Sequence, residues 1–157
     1  MRFSDTYGVL LSITPGWCEK IASGEKTIEI RRTRPRELKA PFICYIYCTK
    51  GYMLYTINGC NKTLLGGMAV IGEFVCDEIL PIRVLDNGSI QNWNFYNLEK
   101  SCVPYGDMAD YIGKDNTGFG WHITDLKLYP FPVGIEYFTK RPPQSWCYVP
   151  LLDSETA

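Results

Sequence analysis

Apolar residues in this chain come in short bursts, and that spacing limits what it can fold into. The runs "YGVLLSI" (7–13), "FICYIYCTK" (42–50), "MAVIGEFVCDEI" (68–79) and "GWHITDLKLYP" (120–130) are bounded by Gly, Pro or charge and are too short for long buried helices, so they read as strands. "GYMLYTINGCNKTLLGG" reads as a hairpin turning at Asn58-Gly59, and Gly72 inside the third run marks a bulge or a close approach. Two segments carry helix signals. In "TPGWCEKIASG", Thr14 is placed to cap, Pro15 suits the first helical position, Trp17 and Ile21 share a face, and Gly24 closes the end. "GDMADYIGK" (106–114) predicts one or two further turns. The middle, "DNGSIQNWNFYNLEKSCVPYG" (86–106), lacks a period and reads as a long ordered loop or a hairpin of unfixed register. The end combines a proline-stiffened stretch with a short strand at "SWCYV" and a frayed tail, "LLDSETA". No repeat or linker divides the chain, so the expectation is one domain over 1–157. Its fold class is mostly β (α+β): a barrel or strongly curved sheet with two or three short helices.

At 157 residues, 46% hydrophobic and 14% aromatic, the chain can bury about two-thirds of its unfolded surface without disulfides or a structural metal. A net charge of -1 argues against coating nucleic acid nonspecifically, so any such contact must be local. The seven cysteines form no Cys-x-x-Cys pair, and several sit inside apolar runs, which suits a reducing compartment and thiols that act as small hydrophobes. Cys44 and Cys48 are the only near-pair, without the further ligands zinc needs, so no metal site is expected. No phosphate-cradling Gly-rich motif or dinucleotide fingerprint is present, so no cofactor is indicated. With no leader pattern and no long apolar stretch, the expectation is a cytoplasmic protein without membrane contact. The glycosylation-like triplets at 61 and 87 then read as chance.

"SGEKTIEIRR" (23–32) puts charge at the start of a strand. Alternation sends Ile28 and Ile30 to the core and sets Thr27, Glu29 and Arg31 on the other face, with Glu29 and Arg31 about 6 to 7 Å apart. A solvated ion network is the plain reading, worth about 0 to 1 kcal/mol per pair. Two features favour a site. The preceding helix must fold back through a single Gly turn and wall off the charged face with Trp17. Residues 26–39 also carry Lys26, Arg31, Arg32, Arg34, Arg36 and Lys39 against Glu29 and Glu37, a local excess that suits phosphate.

The blocks "LLSITPGWCEKIASGEKTIEIRRTRP", "FICYIYCTK", "VIGEFVCDEI", "GWHITDLKLYPFPVGIEYF" and "RPPQSWCYV" resemble, in order, those of an ASCH domain, a branch of the PUA-like fold. The likeness spans about residues 7–149. It implies a PUA-like β-barrel, a cleft beside the Gly-Glu-Lys turn, and RNA, or a modified nucleoside or nucleotide, as partner. Some small relatives in this family are amidohydrolases that deacylate N4-acetylcytidine with a lysine, a threonine and a glutamate. The lysine matches Lys26 and a following arginine matches Arg31, but the threonine position holds Glu29. Turnover here would need Thr27 or Ser12 as the hydroxyl, or Glu29 as base for a water. The glutamate has no clear counterpart, and Glu99 stands only as a guess.

His122 is the only histidine and reads as a satisfied structural residue at the rim. Trp17, Trp121 and Trp146, with Tyr45 and Tyr47, are stacking faces or core, Trp17 being the first choice for a base. In "KRPPQSW", Gln144 and Ser145 could read a base edge or tie down the last strand. Three functions stay open: RNA or nucleotide binding by Ser12, Trp17, Lys26, Glu29, Arg31, Tyr47, Trp121, Gln144 and Trp146; an RNA-linked hydrolase using Lys26, Glu29 and Thr27; or a protein-interaction module.

Overall fold

The computed structural model of the protein describes residues 2–57, 59–64 and 67–153. Among them run β1 (Tyr7–Ile13), α1 (Pro15–Ala22), β2 (Ile28–Arg31), β3 (Phe42–Cys48), β4 (Met53–Ile57), β5 (Cys60–Leu64) and β6 (Ala69–Val84). They are followed by β7 (Ile90–Gln91), α2 (Phe95–Ser101), α3 (Tyr105–Ile112), β8 (Thr117–Val133) and β9 (Trp146–Pro150). The main sheet is ordered β2-β8-β6-β3-β1-β9, with β7 paired to β6. β1 and β3 are parallel and the other neighbours antiparallel.

β1 and β3 lie inside the sheet with apolar clusters on both faces, which is why their sequences run nearly unbroken instead of alternating. Val9, Leu11 and Ile13 join one cluster with Cys44, Ile46, Phe74 and Trp121, while Leu10, Tyr45, Tyr47 and Tyr129 form a second on the opposite side. Ile28 and Ile30 of β2 enter a third with Ile82, Val84, Met108 and Ile112, so the aliphatic face of that strand goes to the core as its alternation predicts. The pairing of β6 with β8 shifts register between Val70 and Gly72, and a Cβ on Gly72 would sit 2.5 Å from the Lys127 carbonyl oxygen. This position is a bulge and a close approach together. β4 and β5 pair as a separate hairpin closed by Ile57 opposite Cys60, with Gly59 at φ +77°; Asn58 of the expected turn lies outside the described residues. All seven cysteines are free thiols, and Cys18, Cys44, Cys48 and Cys76 are buried as small core residues.

Three expectations need correction. The sheet is open: among the described residues no backbone ladder joins β2 to β9, and β2 pairs only with β8. The architecture is therefore α+β with an unclosed sheet. The segment 86–106 is neither a loop nor a plain hairpin. It holds β7 and the helix α2, started by Asn94, whose side-chain oxygen accepts the Asn97 N–H at 2.7 Å, and ended at Cys102 with φ 61°. The tail is tied down at its start, since the Leu151 N–H donates to the Thr6 carbonyl at 3.0 Å and the Leu152 N–H to the Tyr45 hydroxyl at 2.9 Å. Residues 154–157 of that tail lie outside the described residues. Among those described, no helix is long and apolar enough to cross a membrane.

Candidate functional site

α1 begins with Pro15 at its first position, as its sequence predicts, although Thr14 makes no side-chain cap. Gly24, at φ +85°, turns the chain back, and the Lys26 N–H closes onto the Lys20 carbonyl at 3.0 Å. This reversal brings the chain back beside α1, which packs against β4 and β3. It carries Lys26 under Trp17, with the ammonium 4.6 Å from the ring centre and 1% of the residue exposed. One ammonium hydrogen is donated to the Ser101 carbonyl at 2.5 Å, where α2 ends. Burial pushes the Lys26 pKa below its ordinary 10.5, opposed by the nearby Glu29 carboxylate.

Glu29 and Arg31 are buried as well, at 6% and 8% exposure, so the second face of β2 is walled off and not solvated. Arg31 donates from Nη1 to the carbonyl and hydroxyl of Ser145, both at 3.1 Å, and from Nη2 to the Ser12 carbonyl at 2.8 Å. A single guanidinium thus links β2 to β1 and to the residue preceding β9, spanning the gap the backbone leaves open. Its Nε has no hydrogen-bond partner among the described residues and lies 3.7 Å from Glu29 Oε1, which accepts the Ile30 N–H at 3.2 Å. Glu29 Oε2 is buried and has no partner among the described residues. A carboxylate oxygen out of water without a donor is costly.

These groups line a cleft of about 370 Å³ with Ser12, Ile13, Thr14, Trp17, Ile30, Val103, Asp107 and Tyr111. Lys26, Glu29 and Arg31 are the three buried charged residues among those described, and all face this one space. A larger groove of about 590 Å³ between α1 and β4 gathers none of them. No three His, Cys, Asp or Glu side chains gather as a metal site among the described residues.

Of the residues singled out from sequence, Ser12, Trp17, Lys26, Glu29 and Arg31 meet here. The others lie elsewhere. Thr27 is half-buried outside the lining, its N–H bonded to the Lys100 carbonyl and its carbonyl to the Ile123 N–H. Tyr47 is buried in the second cluster; Trp121 is wholly buried, its indole N–H donated to the Thr33 carbonyl. Trp146 packs edge-on against Trp121 and donates to the Thr33 hydroxyl at 2.8 Å. Gln144 is exposed, as is Glu99 on α2, and neither lines the cleft. His122 bonds through Nδ1 to Asp77 at 2.6 Å, a satisfied side chain away from the cleft. The basic excess over 26–39 is divided: Lys26 and Arg31 are buried, and Arg36 and Lys39 point to solvent. Sequence reasoning missed the far wall, Val103, Asp107 and Tyr111, and the Ser101 carbonyl. The pattern predicts one or two turns over 106–114, where α3 runs Tyr105–Ile112, but nothing in it says which strand the helix faces.

No family model matches the sequence, and no curated protein matches it. Solved structures do resemble the fold. The crystal structure of ASCH from Zymomonas mobilis aligns at a TM-score of 0.66 and 21% identity over 95% of this chain and 90% of that one. A serine-to-alanine mutant of that protein aligns at 0.66 and 20%, covering 95% and 90% of the two chains. A tyrosine-to-phenylalanine mutant aligns at 0.63 and 22%, covering 95% and 92%. At such identities the likeness is one of architecture: this chain has the ASCH fold.

Proposed function

We propose that the protein binds RNA, or a nucleoside or nucleotide from it, by taking one base into the cleft beside the Gly-Glu-Lys turn. The observation that carries this reading is the buried, partnerless Glu29 Oε2 lining the same cleft as an ammonium with two donors to spare. A base edge offers an amino or ring N–H to the first and a carbonyl or ring nitrogen to the second, and Trp17 offers an apolar ring beside them. Arg31 takes no part as a ligand in this reading, since its fork is engaged by Ser12 and Ser145. The sequence resemblance, which implies RNA as partner, agrees with it. Glu29→Gln keeps the shape but removes the ionised acceptor, and it is expected to weaken nucleoside or short-RNA binding about tenfold or more. A folded Glu29→Gln protein with parental affinity for every probe overturns the proposal.

Hydrolysis of an N4-acylated cytidine is a second reading, favoured by the carboxylate with a free oxygen beside buried Lys26. Glu29 takes a proton from water as the oxygen attacks the acyl carbon, Lys26 holds the carbonyl oxygen, the C–N bond breaks, and the proton passes to the departing amine. Acetate release from N4-acetylcytidine by the parent and its loss in Lys26→Met test this; no release by the parent excludes it.

A further inference from the structure

We infer that Arg32, seated on Tyr111, is a phosphate subsite at the mouth of the cleft, so that the preferred guest is a nucleotide and not a bare nucleoside. The inference rests on the cleft being a base site. Arg31 and Arg32 are neighbours in sequence with opposite fates. Arg31 is buried with both terminal nitrogens engaged; Arg32 is exposed, its guanidinium carbon 4.6 Å from the Tyr111 ring centre and its Nε donated to the Tyr111 carbonyl at 2.7 Å. Those two contacts fix the plane of the fork and leave both terminal NH₂ groups without a partner among the described residues. A guanidinium held in place with two parallel donors free is the geometry that takes a phosphate bidentately.

Position supplies the rest. Tyr111 belongs to the cleft lining, so the fork sits on the rim of the space whose inner wall carries Glu29 and Lys26. A nucleotide whose base enters that space carries its phosphate outward, toward the rim. Asp107 lines the same cleft one helical turn before Tyr111 and is exposed. Its charge opposes that of Arg32 and discourages a long polyanionic track, so the rim is matched to a single phosphate. That phosphate could belong to a free mononucleotide or to the next residue of a strand, and the chemistry at Arg32 is the same for both.

Calorimetric titration of the full chain separates the cases. The probes are the four ribonucleosides, their 5′- and 3′-monophosphates, and ribo- and deoxyribodinucleotides. In the parent, a phosphate is expected to tighten binding about tenfold over the matching nucleoside. The advantage should fall with salt at a slope near that of one phosphate, about -0.7 on logarithmic axes. In Arg32→Ala the nucleotide-to-nucleoside ratio should collapse to about one, and in Arg32→Lys, which keeps the charge but not the fork, it should lie between. A gain already present in a mononucleotide identifies a free nucleotide as the guest; a gain confined to a dinucleotide identifies a strand. A parent for which phosphate adds nothing, or an Arg32→Ala protein that keeps the gain, overturns the subsite. Failure of the base site looks different: nucleosides then do not bind the parent and Glu29→Gln changes nothing, which removes both readings together.

Discussion

Replacing Arg31 with methionine keeps an unbranched apolar stem and removes the guanidinium, with its charge and its fork. The loss can be worked from its partners. The Ser145 carbonyl keeps the Ser12 N–H at 2.9 Å and is not stranded, while the half-buried Ser145 hydroxyl loses the donor it accepted from at 3.1 Å but can bond water. The Ser12 carbonyl loses the guanidinium bonded to it at 2.8 Å, an orphaned acceptor worth about 1 to 3 kcal/mol. Glu29 loses the countercharge 3.7 Å away, and breaking a buried pair costs about 3 to 5 kcal/mol. The pair is not in direct hydrogen-bond contact, so the lower ends apply, and a total near 4 kcal/mol is expected. For a chain of this size that lowers Tm by about 8 to 16 °C. Urea and thermal unfolding followed by circular dichroism read both quantities. Combining Arg31→Met with Glu29→Gln should recover about 1 kcal/mol or more, because the carboxylate no longer needs a counterion. A loss below about 1 kcal/mol, or no recovery in the double variant, would refute the view that this side chain joins the sheet's open edges around a buried acid.

Burial lowers the Lys26 pKa from 10.5, so between the lowered value and 10.5 the unfolded chain binds more protons than the folded one. Stability of the parent relative to Lys26→Met should rise with pH across that window, its contribution complete above 10.5 and gone below the lowered value. Denaturant titrations at stepped pH that stay parallel for the two proteins contradict it. Gly72→Ala drives a methyl to 2.5 Å from the Lys127 carbonyl oxygen, a backbone atom that cannot step aside, and should cost about 2 kcal/mol in urea unfolding. Asn94→Ala removes the cap of α2 and should cost about 1 kcal/mol, with faster amide exchange across Phe95–Ser101; unchanged exchange there would argue against the cap.

The strands were legible wherever both neighbours in space made the same demand as the local pattern. "FICYIYC" could be nothing else, and the Gly24 reversal could be placed because only a left-handed residue ends α1 so abruptly. The meeting of Trp17 with Lys26 followed from that single turn, and Glu29 and Arg31 line the same cleft, although the body of α1 packs against β4 and β3. Sheet closure was not legible. It depends on whether β2 meets β9, a contact between residues 114 apart in the case of Arg31 and Ser145, and alternation within a strand carries no word about its far neighbour. α2 was hidden for another reason: Phe95 and Tyr96 at its start are exposed, so the segment shows no apolar stripe, and its helix rests on the Asn94 cap and on Ser101 wedged at its end. Trp121 and Tyr47 stayed open between stacking face and core on residue type alone, and they are core because a ring on a central strand is covered from both sides. Arg31 was read as a ligand group because its destination, two backbone carbonyls, leaves no trace in composition.

β6 runs unbroken for 16 residues, and its side chains enter each apolar cluster in turn: Val70 in one, Phe74 and Cys76 in the next, Ile82 and Val84 in the last. A strand shared in this way acts as a common rod, jointed where its register shifts against β8. Loosening at the end near Val70 is passed along a backbone that also holds Ile82 and Val84 against Ile28 and Ile30, the underside of the strand that presents Glu29. Substitutions far from the cleft, at the Val70 end of this rod, should therefore change the tightness with which the acid is held.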